Sequence, residues 1–176
     1  SDGGPDIRWV GNERGIAGAT SWAPLNRADF APGVVCDVKW LTQGQRPATD
    51  WLPAECDVSI RPGWFYHAKE DDKIKTPEKL TDLYFQSVGH GGSFLLNLPP
   101  DRRGLIHEND VASLVKFREI LDSTFRKNLM AGARIQADSI RGGNRRYAPG
   151  NLLDDRRDTY WCPKDGSSLP EIVLEK

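Results

Sequence analysis

Thr76-Pro77-Glu78-Lys79-Leu80-Thr81-Asp82-Leu83-Tyr84-Phe85-Gln86-Ser87-Val88-Gly89 is a helix with both ends written into it, and Ser93-Phe94-Leu95-Leu96-Asn97-Leu98 behind it is a strand. Thr76 offers a capping oxygen, and Pro77 suits a first helical position, where the missing N–H costs nothing. Leu80, Leu83, Tyr84 and Val88 recur at helical spacing, and Gly89 is the expected stop. The apolar run, bounded by glycines and prolines, predicts a buried strand with Leu95 inside it. Asn97 is its polar exception, aimed at a pocket or tying down a neighbouring loop. After the turn at 99–104 a second helix is expected from Asn109 to about Phe125. Val111, Leu114, Val115, Arg118 and Leu121 lie on one side of it, widened by Phe117, Ile120 and Phe125.

Upstream, Cys56-Asp57-Val58-Ser59-Ile60 reads as a short strand, and Val34 to Leu41 as another. Strand, helix, strand, helix in this order implies an α/β protein with a parallel sheet. The prediction is the C-terminal half of a (β/α)8 TIM-like barrel over residues 1–127. The texture then changes over residues 128–176 to short strands and turns without helical period, with Ile172-Val173-Leu174 as one expected strand. The long stretch from Arg14 to Asp50 carries prolines and glycines, but Trp22, Phe30 and Trp40 make a disordered insertion a poor reading. A long barrel loop beside the site is the better one.

Composition narrows the function. The chain has 176 residues, a net charge of -1 and 28% charged residues; its mean hydropathy is -0.56. The charge balance argues against a nucleic-acid partner held by phosphate contacts. No apolar run approaches the roughly 20 residues that cross a bilayer, so no membrane partner is expected. Cys36, Cys56 and Cys162 fit no zinc spacing and no disulfide framework, and are read as buried free thiols. No metal and no cofactor is implied. The chain opens in mid-pattern, and is read as a piece that needs the remainder of the same polypeptide.

The candidate site lies near the start: Asp2-Gly3-Gly4-Pro5-Asp6-Ile7-Arg8-Trp9-Val10-Gly11-Asn12-Glu13. A glycine and proline turn is followed by a short extended run that Gly11 breaks. Trp9 supplies an apolar wall, Arg8 a fork of donors and Asn12 an orienting hydrogen bond. Glu13 beside such a wall is the candidate general acid. Arg, Asn and Glu in a loop are also ordinary solvated residues, and both readings stand at this point. Gly63-Trp64-Phe65-Tyr66-His67 follows the end of a predicted strand, where barrel aromatics face substrate. Trp64 is a wall for a sugar ring or else a core residue.

Four motifs in one order add a resemblance. They are the opening run to Gly15, Trp51 to Ile60, Gly63 to His67, and Ser87-Val88-Gly89 with Leu95 to Asp101. Together they resemble α-L-fucosidases of glycoside hydrolase family 29, the branch acting on α-1,3 and α-1,4 fucosyl linkages. The resemblance implies retaining hydrolysis of fucosylated oligosaccharides outside the cell or in a periplasm, with Glu13 as acid/base. Arg8 and Asn12 then position sugar hydroxyls or Glu13, Trp64 stacks on fucose, and Glu55 with Trp51 reads the aglycone sugar. For Glu55 a loop salt bridge is an equal alternative. The family nucleophile is an aspartate in a Trp-Phe-Asp-Gly motif, which does not occur in this chain, so it is expected elsewhere in the polypeptide and the piece alone is expected to be inactive. Residues 141–162 resemble the opening of a discoidin-like (factor 5/8 type C) domain, which implies the beginning of a β-sandwich over residues 128–176. The competing function is a carbohydrate-binding module or pseudoenzyme.

Overall fold

The computed structural model describes residues 6–30, 33–35 and 37–176. The predicted turn at 2–5 and the thiol of Cys36 lie outside the described residues. The chain divides into two compact units, Ser1–Thr124 and Phe125–Lys176.

In the first unit β1 (Arg8–Trp9) is followed by a long excursion. It contains β2 (Pro24–Leu25), the short helix α1 (Val38–Gln43) and β3 (Asp50–Trp51), before β4 (Ala54–Ser59) returns alongside β1. Then come α2 (Pro77–Ser87), β5 (Ser93–Asn97) and α3 (Glu108–Phe125). The main sheet has the order β1-β4-β5 and is parallel throughout, with Arg8 opposite Ala54 and Asp57 opposite Leu95. The predicted helix, strand, helix run is therefore present, and β5 lies parallel to its neighbour as expected.

Alternation along the strands sorts the side chains onto two faces. Arg8, Ala54, Cys56, Val58, Phe94 and Leu96 share the face toward the helices. Phe117 of α3 meets Phe94 and Tyr84 edge-on there, at 6.4 and 6.3 Å between ring centres. Leu80 and Leu83 of α2 are fully buried, which stabilises the unit by roughly 1.5–3 kcal/mol for each side chain. The other face carries Trp9, Glu55, Asp57, Ser93, Leu95 and, at its upper end, Ser59 and Asn97. Nothing among the described residues covers its lower part. Leu95 is accordingly 51% exposed rather than buried: the apolar run revealed a strand, but strand parity sends Leu95 away from the helices.

Helix ends explain the other departures. Thr76 caps α2 as predicted, its side chain accepting from the Lys79 amide, and the α-helix stops before Gly89 as expected, with Val88 as its C-cap; a short 3-10 turn over Val88–His90 follows and closes at left-handed Gly91. The predicted strand from Val34 to Leu41 is instead α1. Asp37 caps it by accepting from the Lys39 amide, and Gly44 ends it with φ 72°. A side chain at Gly44 has no room, since a Cβ there falls 2.1 Å from the Trp22 carbonyl oxygen. In α3 the covered residues are Asp110 and Ser113, with Leu114, Phe117 and Leu121 partly covered. Val111 and Val115 face outward, 44% and 52% exposed.

Hydrogen bonds tie together the described part of the excursion. Buried Gln45 accepts from the Asn26 amide at 2.6 Å and donates to Asp29 at 2.7 Å, and β2 pairs antiparallel with β3. Cys56 is a buried free thiol, and desolvation pushes it up to about 11 against the partial opposition of Arg8. Cys162 is a half-buried free thiol.

In the second unit β6 (Arg134–Ala137) and β7 (Ile172–Glu175) form a two-stranded antiparallel sheet. Irregular turns and short 3-10 segments lie between them, held by bonds such as Trp161 Nε1 to the Ser139 carbonyl at 3.0 Å.

Candidate active site

Three segments converge at the carboxyl ends of the parallel strands. The first follows β1, whose regular bonding ends as the Val10 amide donates to the Glu55 carbonyl at 3.1 Å. Asn12 then clasps the loop around itself. Its Nδ2 donates to the Ile16 carbonyl at 3.1 Å, and its Oδ1 accepts the Arg14 amide at 3.1 Å. Gly15 closes the turn at φ 72°, so tight on β4 that a Cβ there lies 2.8 Å from Val58 Cγ1. The clasp leaves Glu13 at the tip of the loop with its carboxylate exposed.

The second segment follows β4 and carries Trp64, whose indole Nε1 donates to Glu13 Oε2 at 2.9 Å. Residues 51 apart in sequence thus meet at one hydrogen bond, which fixes one carboxylate oxygen and leaves the other toward solvent. The third contribution comes from the end of β5. Asn97 Nδ2 donates to the Trp64 carbonyl at 3.0 Å and to Ser59 Oγ at 3.1 Å. Ser59 in turn donates to the Gly63 carbonyl at 2.7 Å. Of the two uses foreseen for Asn97, tying down a neighbouring loop is the one the structure shows.

Beneath Trp64 the loop is anchored by Arg61. Its side chain is fully buried, with Nε on Asp110 Oδ2 and Nη1 on Asp71 Oδ1, both at 2.9 Å, and Tyr66 covers it at 4.7 Å. Burial opposes the Arg61 charge, but Asp110 and Asp71 outweigh it and hold the guanidinium above its usual range. Burial likewise opposes the Asp71 charge, yet Arg61, His107 and Tyr66 bring its carboxyl below the usual range. Lys75 closes the loop by donating through Nζ to the Ser59 carbonyl at 2.6 Å, and desolvation lowers its ammonium.

Of the residues singled out in sequence, Glu13, Asn12 and Trp64 come together, and the others go elsewhere. Trp9 does not wall Glu13: it lies on the opposite face from Arg8, where its Nε1 donates to Asp57 Oδ1 at 2.6 Å. Arg8 is 3% exposed. It donates to the carbonyls of Leu41, Ala23 and Leu52 at 2.8, 3.3 and 2.9 Å and to Ser21 Oγ at 3.3 Å, which pins the excursion to β1. Desolvation lowers the pKa of this buried guanidinium. Glu55 stands level with Trp9 at the amino end of β4, four residues and therefore about 13 Å of strand before Ser59. Trp51 is 72% exposed on β3.

Arg61, Asp110 and Ser59 were not assigned roles from sequence. One signal was present for Asp110: it occupies an apolar slot in the 110, 113, 114, 117, 121 register of α3, and an acid there asks for a buried cation. No group of three or more His, Cys, Asp or Glu side chains placed to hold a metal ion occurs among the described residues. None of their helices is long and apolar enough to cross a membrane. Chemically, the three strand ends present a fixed, accessible carboxylate beside an indole.

A family model described as alpha-L-fucosidase matches residues 37–123. Alpha-L-fucosidase 1 of Arabidopsis thaliana is 43% identical over 176 residues, covering 99% of this chain and 34% of that protein. Among solved structures, a Ruminococcus gnavus glycoside hydrolase family 29 fucosidase in complex with fucose matches with a TM-score of 0.80 at 34% identity. That match covers 96% of this chain and 34% of the other. A Bacteroides thetaiotaomicron protein solved under the name alpha-L-fucosidase gives 0.83 at 41% identity, covering 96% and 36%. The chain spans about a third of the length of the proteins it matches.

Proposed function

The chain belongs to the alpha-L-fucosidases of glycoside hydrolase family 29, and on that premise we propose that it carries the acid/base half of a retaining fucosidase site. The observation that supports this most is the exposed Glu13 carboxylate held by the Trp64 indole at the carboxyl ends of three parallel strands. In a (β/α)8 barrel that is the end where substrate binds, and the sheet described here is read as part of such a barrel.

Glu13 protonates the departing glycosidic oxygen as an aspartate outside this chain attacks the anomeric carbon. It then takes a proton from the water that releases fucose. The family resemblance implies that this aspartate stands on the barrel strand preceding β1, and a retaining pair of carboxyl groups is about 5–5.5 Å apart. Trp64 faces the fucose ring, and Asn12 orients the loop that presents Glu13. The motifs shared with the α-1,3/1,4 branch favour those linkages, with Trp51 on the excursion as the contact for the aglycone sugar. Arg8 serves by holding that excursion rather than by touching sugar. The substrate class places the work outside the cell or in a periplasm.

The full-length protein should release fucose from α-1,3- or α-1,4-fucosylated oligosaccharides, with the α-anomer appearing first by proton NMR. The β-anomer first overturns the retaining assignment. Tight fucoside binding with no release identifies a binding module or pseudoenzyme instead.

A further inference from the structure

Asn97 lies half-buried at the end of β5 and makes no hydrogen bond to Glu13, yet the hydrogen bonds that run from it have only one possible direction. The carbonyls of Trp64 and Gly63 can only accept. The Asn97 amide must therefore present its NH2 to the Trp64 carbonyl, 3.0 Å away, and Ser59 must give its hydroxyl proton to Gly63 at 2.7 Å. Ser59 Oγ is then left as acceptor for the second Asn97 proton at 3.1 Å and for the Arg61 amide at 3.4 Å. Two backbone carbonyls of the Trp64 turn are thus fixed by one amide and one hydroxyl at the ends of neighbouring strands. The residue so fixed is the one whose indole holds Glu13 at 2.9 Å.

We propose that Asn97 is a positioning residue for Glu13, acting through Trp64, with Ser59 as its partner. The proposal rests on the acid/base reading of Glu13 for its catalytic consequence, but not for its structural one. The Asn97 amide sets the height and rotation of the Trp64 backbone, and the indole N–H then sets which Glu13 oxygen is engaged and which is free for a leaving group. General acid catalysis depends steeply on such alignment. An ordinary core asparagine changes stability alone when it is lost.

Asn97→Asp keeps shape and removes both donated protons. Ser59→Ala removes the other arm and serves as the second variant if the first folds poorly. Both are made in the full-length protein and assayed on a fucosylated oligosaccharide and on nitrophenyl fucoside, whose leaving group hardly needs a proton. We expect about a tenfold fall in kcat on the oligosaccharide, the worth of the one lost hydrogen bond that reaches Trp64 directly, Asn97 to the Trp64 carbonyl. The fall should be clearly smaller on the nitrophenyl substrate, with KM nearly unchanged, and absent when Asn97→Asp is added to Glu13→Gln. Fluorine NMR of fluorotryptophan-labelled protein, with the Trp64 signal assigned by Trp64→Phe, reads the position of the indole directly. That signal should shift in Asn97→Asp. An unmoved signal overturns the positioning role whatever Glu13 does. A shifted signal with equal loss on both substrates upholds the positioning of Trp64 and rejects the acid/base reading of Glu13.

Discussion

Removing Arg61 should be the most damaging single change beneath the site, and the structure sets its size. Both Arg61 and Asp110 side chains are fully buried, and one 2.9 Å contact joins them. Among the described residues Asp110 Oδ1 and Arg61 Nη2 have no hydrogen-bond partner. Such a pair adds little net stability over apolar side chains of the same volume, but stranding one member costs about 3–5 kcal/mol. The two halves are unequal. Asp110→Leu leaves Arg61 still bonded to Asp71 and under Tyr66, so its cost belongs at the low end, about 3 kcal/mol. Arg61→Met leaves the Asp110 carboxylate with no partner at all and belongs at the high end, about 5 kcal/mol. The double variant Arg61→Met/Asp110→Leu should recover most of the loss. Denaturant unfolding of the full-length protein and its variants measures this, with the midpoint of each compared at equal slope. If each single change costs under about 1 kcal/mol and the double equals their sum, the pair is not the buried anchor described, since coupled partners are non-additive.

Other expectations follow from the same geometry. Asp71 is held below the usual carboxyl range, so its contribution to stability is complete above the pKa of an unfolded Asp, about 3.9. It is lost as pH falls through the lower folded value, and Asp71→Asn should shrink the acid-induced loss of stability in a pH series of unfolding midpoints. Trp64→Phe keeps an aromatic face but loses Nε1, so it should bind fucose analogues nearly as well as wild type while losing rate on oligosaccharides. Trp64→Ala should lose both, with the unfolding midpoint little changed. Cys56 is buried and pushed up to about 11, so a thiol alkylating reagent at neutral pH should leave it unmodified in the folded protein and label it in denaturant, as peptide mass spectrometry will show.

Local chemistry made α2 and β5 legible: Thr76, Pro77, the leucine spacing and the flanking glycines each act within a few residues. The same rules held a missed signal at Asp37. The β-branched Val34, Val35 and Val38 suggested a strand, but a capping aspartate and Gly44 six residues after the first helical position favour a helix. Which face of a strand is covered was not legible. Leu95 and Phe94 are equally apolar, and only the position of α3 makes Phe94 the inner one. The loop at Glu13 was found as a motif, but not the indole that meets it. Trp9 is four residues away and turned aside by strand parity, whereas Trp64 is brought back by the parallel pairing of β4 with β1. Arg61 and Asp110 are 49 residues apart, and only the packing of α3 beside the loop after β4 reveals them as partners.

The central claim is that Glu13 moves the proton, and Glu13→Gln in the full-length protein tests it most directly, because the amide keeps the shape and cannot donate or accept that proton. Hydrolysis of a fucosylated oligosaccharide should fall by roughly 10²–10⁴, the usual worth of acid/base assistance. Nitrophenyl fucoside should still form the glycosyl-enzyme at nearly the wild-type rate. Added azide, which attacks without a general base, should restore turnover and yield fucosyl azide of retained configuration. Equal loss on both substrates with no effect of azide contradicts the account, and leaves Glu13 as a residue that shapes the loop.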